Sequence, residues 1–165
     1  MLVSEIMTVN PTCCIATDTA QTAAIIMRDE DTGIVPIVEQ KGSGKLVGVV
    51  TDRDLCLGVL AARPKGGEVL NPASVEIKHC MTTSVVYCHP DDSVEKVLDL
   101  MQENQIRRVI VVDDKNLIQG VVSFSDLMNR GRVRKGETQN TLKAISEPTG
   151  EPSKPRAHSA SMKTE

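Results

Sequence analysis

The chain contains two copies of one pattern. "GVVTDRDL" occupies residues 48–55 and "GVVSFSDL" occupies residues 120–127. Both octapeptides read glycine, two valines, a hydroxyl residue, two variable residues, aspartate and leucine. The repeat extends upstream, since "MT" at 7–8 recurs at 81–82, 74 positions later. A pattern that occurs twice at this spacing constrains the chain to fold into two similar units.

The repeat continues between these motifs. "DTAQTAAIIM" at 18–27 recurs as "DSVEKVLDLM" at 92–101, and "VPIVEQK" at 35–41 recurs as "VIVVDDK" at 109–115. The offset falls to 72 positions only after two extra residues in the turn "KGSGK". An offset that changes once, inside a Gly/Ser turn, indicates duplicated structural units.

Each unit contains apolar residues at i, i+3, i+4 and i+7, which predicts helices near 19–30 and 93–104. These stripes are Ala20, Ala23, Ala24 and Met27 in the first unit and Val94, Val97, Leu98 and Met101 in the second. Asp18 and Asp92 stand just before the helices, each with Gln or Glu three residues later. We therefore expect these aspartates to be the N-caps.

Two β-rich runs follow each helix, with a link short enough for a hairpin. A second helix is expected to start at the hydroxyl residue of each octapeptide. Strand-like "TCCI" at 12–15 and "VVYC" at 85–88 precede the first helices. The predicted fold class is therefore α+β, with tandem βαββα units.

The pattern also predicts the organisation of the chain. We expect repeat 1 at 1–62, a linker at 63–72, repeat 2 at 73–131 and a C-terminal tail at 132–165. A short helix is expected over 73–81, and a single helix within the tail over 137–145. The rest of the tail is rich in Pro, Ser and charge, so it is expected to be largely disordered.

Composition argues against several function classes. The formal net charge is −3 and the only aromatic residues are Tyr87 and Phe124, so neither a basic surface nor base stacking favours nucleic acid. No apolar run approaches the roughly 18 residues of a membrane helix. The N-terminus lacks a basic lead and a long apolar run, so we expect a cytoplasmic protein without a secretory signal.

The five cysteines, an odd number, favour reduced thiols in a cytoplasm. Cys13 and Cys14 are adjacent and allow a redox pair, although a small apolar role in a strand is the simpler interpretation. Cys80 and Cys88 each adjoin a histidine, but their spacing fits no zinc pattern. We therefore predict no metal site.

The tandem units, with "IMT" at 6–8, "GIVPIV" at 33–38 and "GVVTDRDL" at 48–55, resemble a pair of cystathionine-β-synthase (CBS) domains, the Bateman module. The resemblance covers roughly residues 1–130, and the chain looks like a small stand-alone CBS-pair protein of the bacterial kind. "IRRVIVVDD" at 106–114 and "GVVSFSDL" also resemble nucleotide-binding repeats of the regulatory γ subunit of AMP-activated kinase.

The resemblance implies that the repeats pack about a pseudo-twofold axis and leave two clefts for adenosine-type ligands. It implies that the Thr/Ser-x-x-Asp tetrads contact the ribose and a nearby phosphate, and that Arg107 and Arg108 reach the phosphates. Their first-repeat counterparts are Gly33 and Ile34, and Phe124 stands where the first tetrad has Asp52, so the clefts are expected to differ. The candidate ligand-binding residues are Gly33, Ile34, Thr51, Asp54, Ile106, Arg107, Arg108, Ser123, Ser125 and Asp126.

Plainer interpretations stay open beside these. The tetrad pattern is also a helix capping box, which a sheet-to-helix junction can have without binding any ligand. Arg107 and Arg108 also fit a solvated entrance to a strand.

The resemblance to CBS domains also implies a homodimer and a regulated partner protein of unknown identity.

We predict a non-catalytic sensor that binds AMP, ADP, ATP, NAD or S-adenosylmethionine. The alternatives are a thiol-based redox or metal-binding protein and a structural CBS dimer with empty clefts. An enzyme is the least favoured class, because the sequence has no nucleophile elbow, P-loop or HExxH motif and no recognisable triad context for its histidines.

Overall fold

The computed structural model of the chain describes residues 1–62, 64, 66–130 and 135–147, with the side chains of Lys135 and Glu137 left out. The first half contains a 3-10 turn (Val3–Glu5), β1 (Thr8–Val9), β2 (Cys14–Ile15), α1 (Ala20–Asp29), β3 (Ile34–Val38), β4 (Leu46–Thr51), α2 (Asp52–Leu55) and a π-helical turn (Cys56–Leu60). The second half contains a 3-10 turn (Ile77–His79), β5 (Tyr87–Cys88), α3 (Val94–Asn104), β6 (Arg108–Val112), β7 (Ile118–Ser123), α4 (Phe124–Asn129) and α5 (Lys135–Ser146). The predicted α+β class and tandem βαββα order are confirmed.

The strands form two sheets, one for each repeat. The first sheet has the order β2-β3-β4 and the second has the order β1-β7-β6-β5. In both sheets the hairpin strands are antiparallel, and the strand before the helix runs parallel to the first hairpin strand. None of the helices in the described ranges is long and apolar enough to cross a membrane.

The first helix of each repeat buries its apolar stripe, with one difference between the copies. Ala20, Ala23 and Met27 of α1 are buried, but Ala24 is exposed, whereas its counterpart Leu98 is only 3% exposed. The prediction that Ala24 belongs to the buried stripe is therefore wrong. Leu98 is covered because α5 packs on α3, and no described helix occupies the equivalent place on α1.

The N-cap prediction is wrong by one residue in both repeats. Thr19 and Ser93 are the N-caps, and each hydroxyl accepts from the backbone N–H three residues later, at 3.1 and 3.3 Å. Asp18 and Asp92 instead accept from the backbone N–H three residues earlier, at 2.9 and 2.8 Å. The aspartates thus close the turn before the helix. Asp is common in turns because its side chain accepts hydrogen bonds from nearby backbone N–H groups.

The two hairpins pack against each other at the centre of the pair. Their shared buried cluster contains Ile34, Leu46, Val49, Ile110 and Val112. The hairpin turns also join, because Leu46 N–H donates to Asn116 O at 3.1 Å and Ile118 N–H donates to Gly44 O at 2.9 Å. Gly44 and Asn116 are equivalent positions with φ of 66° and 61°, a left-handed conformation that Gly and Asn adopt readily.

The N-terminal segment of each repeat packs on the other repeat. Residues 3–9 lie on the second sheet, where β1 pairs antiparallel with β7. Residues 77–82 lie on the first sheet, where Val49 and Thr82 exchange backbone hydrogen bonds of 2.9 and 2.8 Å. Val3 and Ile6 are buried in the second core, and Ile77 and Cys80 are buried in the first. This exchange is reciprocal, as a pseudo-twofold arrangement requires.

The glycine that opens each octapeptide lies under an exchanged segment. A Cβ on Gly120 would lie 2.7 Å from Thr8 O and 2.9 Å from Met7 Sδ. A Cβ on Gly48 would meet Met81 Cε and lie 3.0 Å from Thr82 O. The Met-Thr dipeptides and the glycines therefore recur together because they touch across the repeats.

The predicted secondary structure of the linker and tail differs in detail from the observed one. Only Ile77–His79 is helical within 73–81, because Asn71–Ser74 form a turn and Glu76 pairs with Thr19 of the first repeat. The structure has a helix over the stretch 137–145, namely α5. The predicted disorder of residues beyond 147 lies outside the described residues, and the domain boundaries stay predictions.

We predict that Gly120→Ala destabilises the protein by about 1–3 kcal/mol, the usual cost of an added methyl in a packed site. The clash involves the backbone oxygen of Thr8, which cannot turn away as a side chain does. Chemical denaturation measures the change in free energy of unfolding. Gly136→Ala is the control, because a Cβ added there meets no packed neighbour within 4 Å among the described residues, and Ala favours a helix. An unchanged midpoint for Gly120→Ala would contradict the close approach of β1.

Candidate functional site

The second tetrad joins β7 to α4. Ser123 is the N-cap, and its Oγ accepts from Asp126 N–H at 3.1 Å. One carboxylate oxygen, Oδ2 of Asp126, accepts from Ser123 N–H at 2.9 Å and from Ser123 Oγ–H at 2.6 Å. Within the described part of the chain, Oδ1 accepts no hydrogen bond. The capping-box interpretation is thus confirmed, and one carboxylate oxygen stays available for a ligand.

The first tetrad has nearly the same geometry at the junction of β4 and α2. Thr51 Oγ1 accepts from Asp54 N–H at 3.2 Å, and Asp54 Oδ2 accepts from Thr51 N–H and Oγ1–H at 2.9 and 2.7 Å. Here too, Oδ1 accepts no bond from the residues that the structure describes. The two caps therefore form a matched pair, and any functional difference between them must come from their surroundings.

A cavity of about 280 Å³ lies beside the second tetrad. It is lined by Arg107, Arg108, Ser123, Phe124, Ser125, Leu142 and Ile145. Small-molecule sites are typically about 300–1,000 Å³, so this cavity is near the lower end of that range. The structure therefore brings four of the predicted site residues to one cavity, and a fifth, Asp126, is hydrogen-bonded to one of the four, Ser123.

The strand register places the arginines next to the tetrad. Arg108 pairs with Ser123 across β6 and β7, and Phe124 N–H donates to Arg107 O at 2.8 Å. Arg107 is exposed and Arg108 is half-buried. Neither guanidinium forms an ion pair with an acidic side chain of the described residues. Neither guanidinium is therefore neutralised by direct contact with a carboxylate of the described residues.

Arg108 also reaches the first repeat. A Cβ on Gly33 would lie 2.6 Å from Arg108 Nη2 and 2.5 Å from Asp52 Oδ2. The absence of a side chain at Gly33 thus leaves room for the guanidinium between the two repeats. Asp52 N–H donates to Gly33 O at 3.2 Å, so this position adjoins the start of α2 and the first tetrad.

Two other predicted site residues face the protein interior. Ile34 is buried in the cluster between the hairpins, and Ile106 packs on the second core. Neither lines the cavity beside Ser123. Their apolar contacts hold the strand entrances in place, which is a positioning role. Leu142 and Ile145, by contrast, line the cavity and were not predicted, because nothing in a lone Leu and Ile of a polar helix indicates a ligand.

A smaller cavity of about 120 Å³ lies away from both tetrads. It is lined by Leu46, Val47, Thr83, Val85, Tyr87 and Asn116. Tyr87 is 49% exposed and makes an edge contact with the His89 ring at 5.9 Å between centroids. The aromatic ring of Tyr87 therefore lines neither the cavity beside Ser123 nor a core cluster.

The cysteines do not form a common site. Cys14 and Cys80 are buried in the first core, whereas Cys88 is buried in the second. No group of three or more His, Cys, Asp or Glu side chains with metal-site geometry occurs among the described residues. The pairs at 79–80 and 88–89 thus belong to different cores, which argues against a single four-ligand zinc site.

Burial also keeps these thiols protonated. It raises the pKa of Cys14 to about 12, with Asp18 adding to the effect, and that of Cys88 to about 12, with Asp92 adding to the effect. Burial raises the pKa of Cys80 to about 11. A thiol with a raised pKa is a poor nucleophile, because the thiolate is the reactive form. These cysteines therefore have the chemistry of core residues.

The comparisons with known proteins agree with the fold. The CBS domain family matches residues 3–60 and again residues 76–132. The uncharacterized protein YlbB of Bacillus subtilis is 37% identical over 125 residues, which cover 76% of this chain and 78% of YlbB. The two matched segments correspond to the two repeats, and α5 lies beyond them.

Two solved structures share the arrangement. The CBS domain pair of protein MJ0100, in complex with 5′-methylthioadenosine and S-adenosyl-L-methionine, superimposes with a TM-score of 0.66 at 30% identity over 78% of this chain and 93% of that chain. Hypoxic Response Protein I, with two coordinated zinc ions, superimposes with a TM-score of 0.67 at 28% identity over 79% of this chain and 98% of that chain. With its two matched repeats and this fold, the chain belongs to the CBS-domain family as a small CBS pair.

Proposed function

We propose that this protein is a non-catalytic regulatory CBS pair whose second cleft binds an adenosine-type ligand with an anionic group. The observation that carries the proposal is the cavity beside Ser123. It combines two guanidinium groups that form no ion pair among the described residues, two serine hydroxyls and an adjoining carboxylate whose Oδ1 accepts no hydrogen bond from those residues.

Each group suits one part of such a ligand. Oδ1 of Asp126 accepts from a ribose hydroxyl, and a charge-assisted bond of this type is about twice as strong as a neutral one. A carboxylate repels a phosphate, so Asp126 serves the sugar. Arg107 and Arg108 serve the phosphate, because the planar guanidinium matches its oxygens. The serine hydroxyls supply the remaining polar contacts.

The relatives and the cavity size support a ligand with a single nucleoside. The pair from MJ0100 was solved with two adenosyl compounds and is 30% identical to this chain. A cavity of about 280 Å³ suits a mononucleotide better than the dinucleotide NAD. The two arginines favour a phosphate over the positively charged sulfonium of S-adenosylmethionine. AMP and ADP are therefore the preferred candidates.

The regulatory step rests on the contact between the repeats. Arg108 lies in the second cleft and against Gly33 of the first repeat, so a ligand that draws the guanidinium toward its phosphate changes the contact between the repeats. A ligand that favours one arrangement shifts the population toward it. We propose that this change acts on a partner protein in the cytoplasm and that the pair works as a homodimer.

Asp126→Asn should weaken AMP binding by about 1.5–3 kcal/mol, the contribution of a hydrogen bond to a charged group. Asparagine keeps an acceptor oxygen for the Ser123 cap but loses the charge and the second acceptor. The melting temperature without ligand should therefore change little. Isothermal titration calorimetry measures the affinity.

Asp54→Asn is the matched control, because the same substitution is made in a cap of nearly identical geometry. It should weaken AMP binding less than Asp126→Asn. The opposite order would place the main site in the first cleft. Equal affinity for wild type and both variants would mean that the tetrads are only helix caps.

Arg107→Ala combined with Arg108→Ala should weaken AMP and ADP binding more than adenosine binding. The guanidinium groups act on phosphates, and adenosine has none. Titration of the three ligands against wild type and the double variant gives the comparison. The same loss for all three ligands would show that the arginines support the fold of the cleft and do not contact a phosphate.

A further inference from the structure

The helix α5 is docked on the second repeat. Thr138, Thr141 and Ile145 are buried at i, i+3 and i+7, which places them on one face of the helix. Ile145 belongs to the second core together with Leu98 and Met101 of α3. The helix therefore has a fixed place on the body of the protein.

This docking distinguishes the two clefts. No described helix lies in the corresponding place on the first repeat, and the α1 residue equivalent to the buried Leu98 is the exposed Ala24. The family match ends at residue 132, before α5 begins. The helix is thus an addition to the second repeat. Where α5 packs, α3 has a bulkier surface than α1, with Leu98 in place of Ala24.

Two residues of α5 extend to the cavity beside Ser123. Leu142 and Ile145 line it together with Phe124, so three of its seven lining side chains are large and apolar. The other four are the two arginines and the two serines. A nucleotide needs the same two chemistries, an apolar surface for its base and polar groups for its sugar and phosphate.

We propose that α5 forms the base-binding wall of the second cleft, with Leu142 and Ile145 packed against the ligand's purine ring. This inference rests on the proposed function, since it assigns the base to a wall of the same cavity. It adds two specificity-determining residues that lie outside the tetrads and outside the matched repeats. It also links ligand binding to the docking of α5, because a ligand that contacts the docked helix stabilises that state.

Leu142→Ala tests the wall. Leu142 is 48% exposed, so its truncation should not disturb the core, and alanine favours a helix. Calorimetry with AMP and with adenosine should show both affinities lowered by about fivefold to tenfold, because the branched end of the Leu142 side chain no longer contacts the base that both ligands share. This pattern differs from that of the arginine variant, which discriminates between the two ligands.

Leu60→Ala is the control, because Leu60 is 63% exposed at the end of the first repeat and lies outside the cavity. It should bind both ligands as wild type does. If Leu142→Ala also binds both ligands as wild type does, the proposed base-binding role of α5 is wrong while the proposed function stands. If wild type binds neither AMP nor adenosine, both proposals are overturned.

Hydrogen–deuterium exchange on the full-length wild-type chain gives a second readout. AMP should slow amide exchange in residues 135–147 relative to the ligand-free protein, and it should slow it less in Leu142→Ala at equal occupancy. Protection confined to the tetrads and to the start of β6, with none in α5, would contradict a contact between the helix and the ligand.

Discussion

The reciprocal exchange of N-terminal segments is the constraint on which the rest of the structure depends. The first Met-Thr segment adds β1 to the sheet of the second repeat, and the second segment pairs with β4 of the first repeat at Val49. Each segment lies over a glycine that leaves no room for a side chain. The exchange holds the two hairpins face to face around their shared apolar cluster. The positions of both tetrads and of the cavity beside Ser123 follow from that alignment.

The sequence predicted local structure well because the repeat supplied two independent examples of each element. The helices, hairpins and caps at Thr51 and Ser123 follow from spacing and from the chemistry of helix ends. The partner of each segment did not follow, since the pattern of residues 3–9 is the same whichever sheet they join. The burial of Leu98 and the exposure of Ala24 depend on α5, a tertiary contact that a helical stripe cannot reveal.

In the candidate site, too, the sequence predicted residues with a defined local chemistry but not the tertiary contacts around them. The tetrads were found because hydroxyl and carboxylate residues at this spacing have a defined chemistry, and the structure uses one carboxylate oxygen for the cap while the other has no partner among the described residues. The capping role and the proposed binding role thus fall on one side chain. Leu142 was not predicted to line the cavity, because an apolar residue indicates such a position only when its neighbours in the fold are known.

Gly33 and Arg108 limit how the two copies of the repeat can diverge. The guanidinium of one copy fills the space that a side chain would occupy in the other, beside Asp52. A side chain at Gly33 would therefore displace the Arg108 guanidinium or the Asp52 carboxylate, which are the flexible ends of their side chains. A change at this position in one half of the duplication thus alters a group that lines the cleft of the other half.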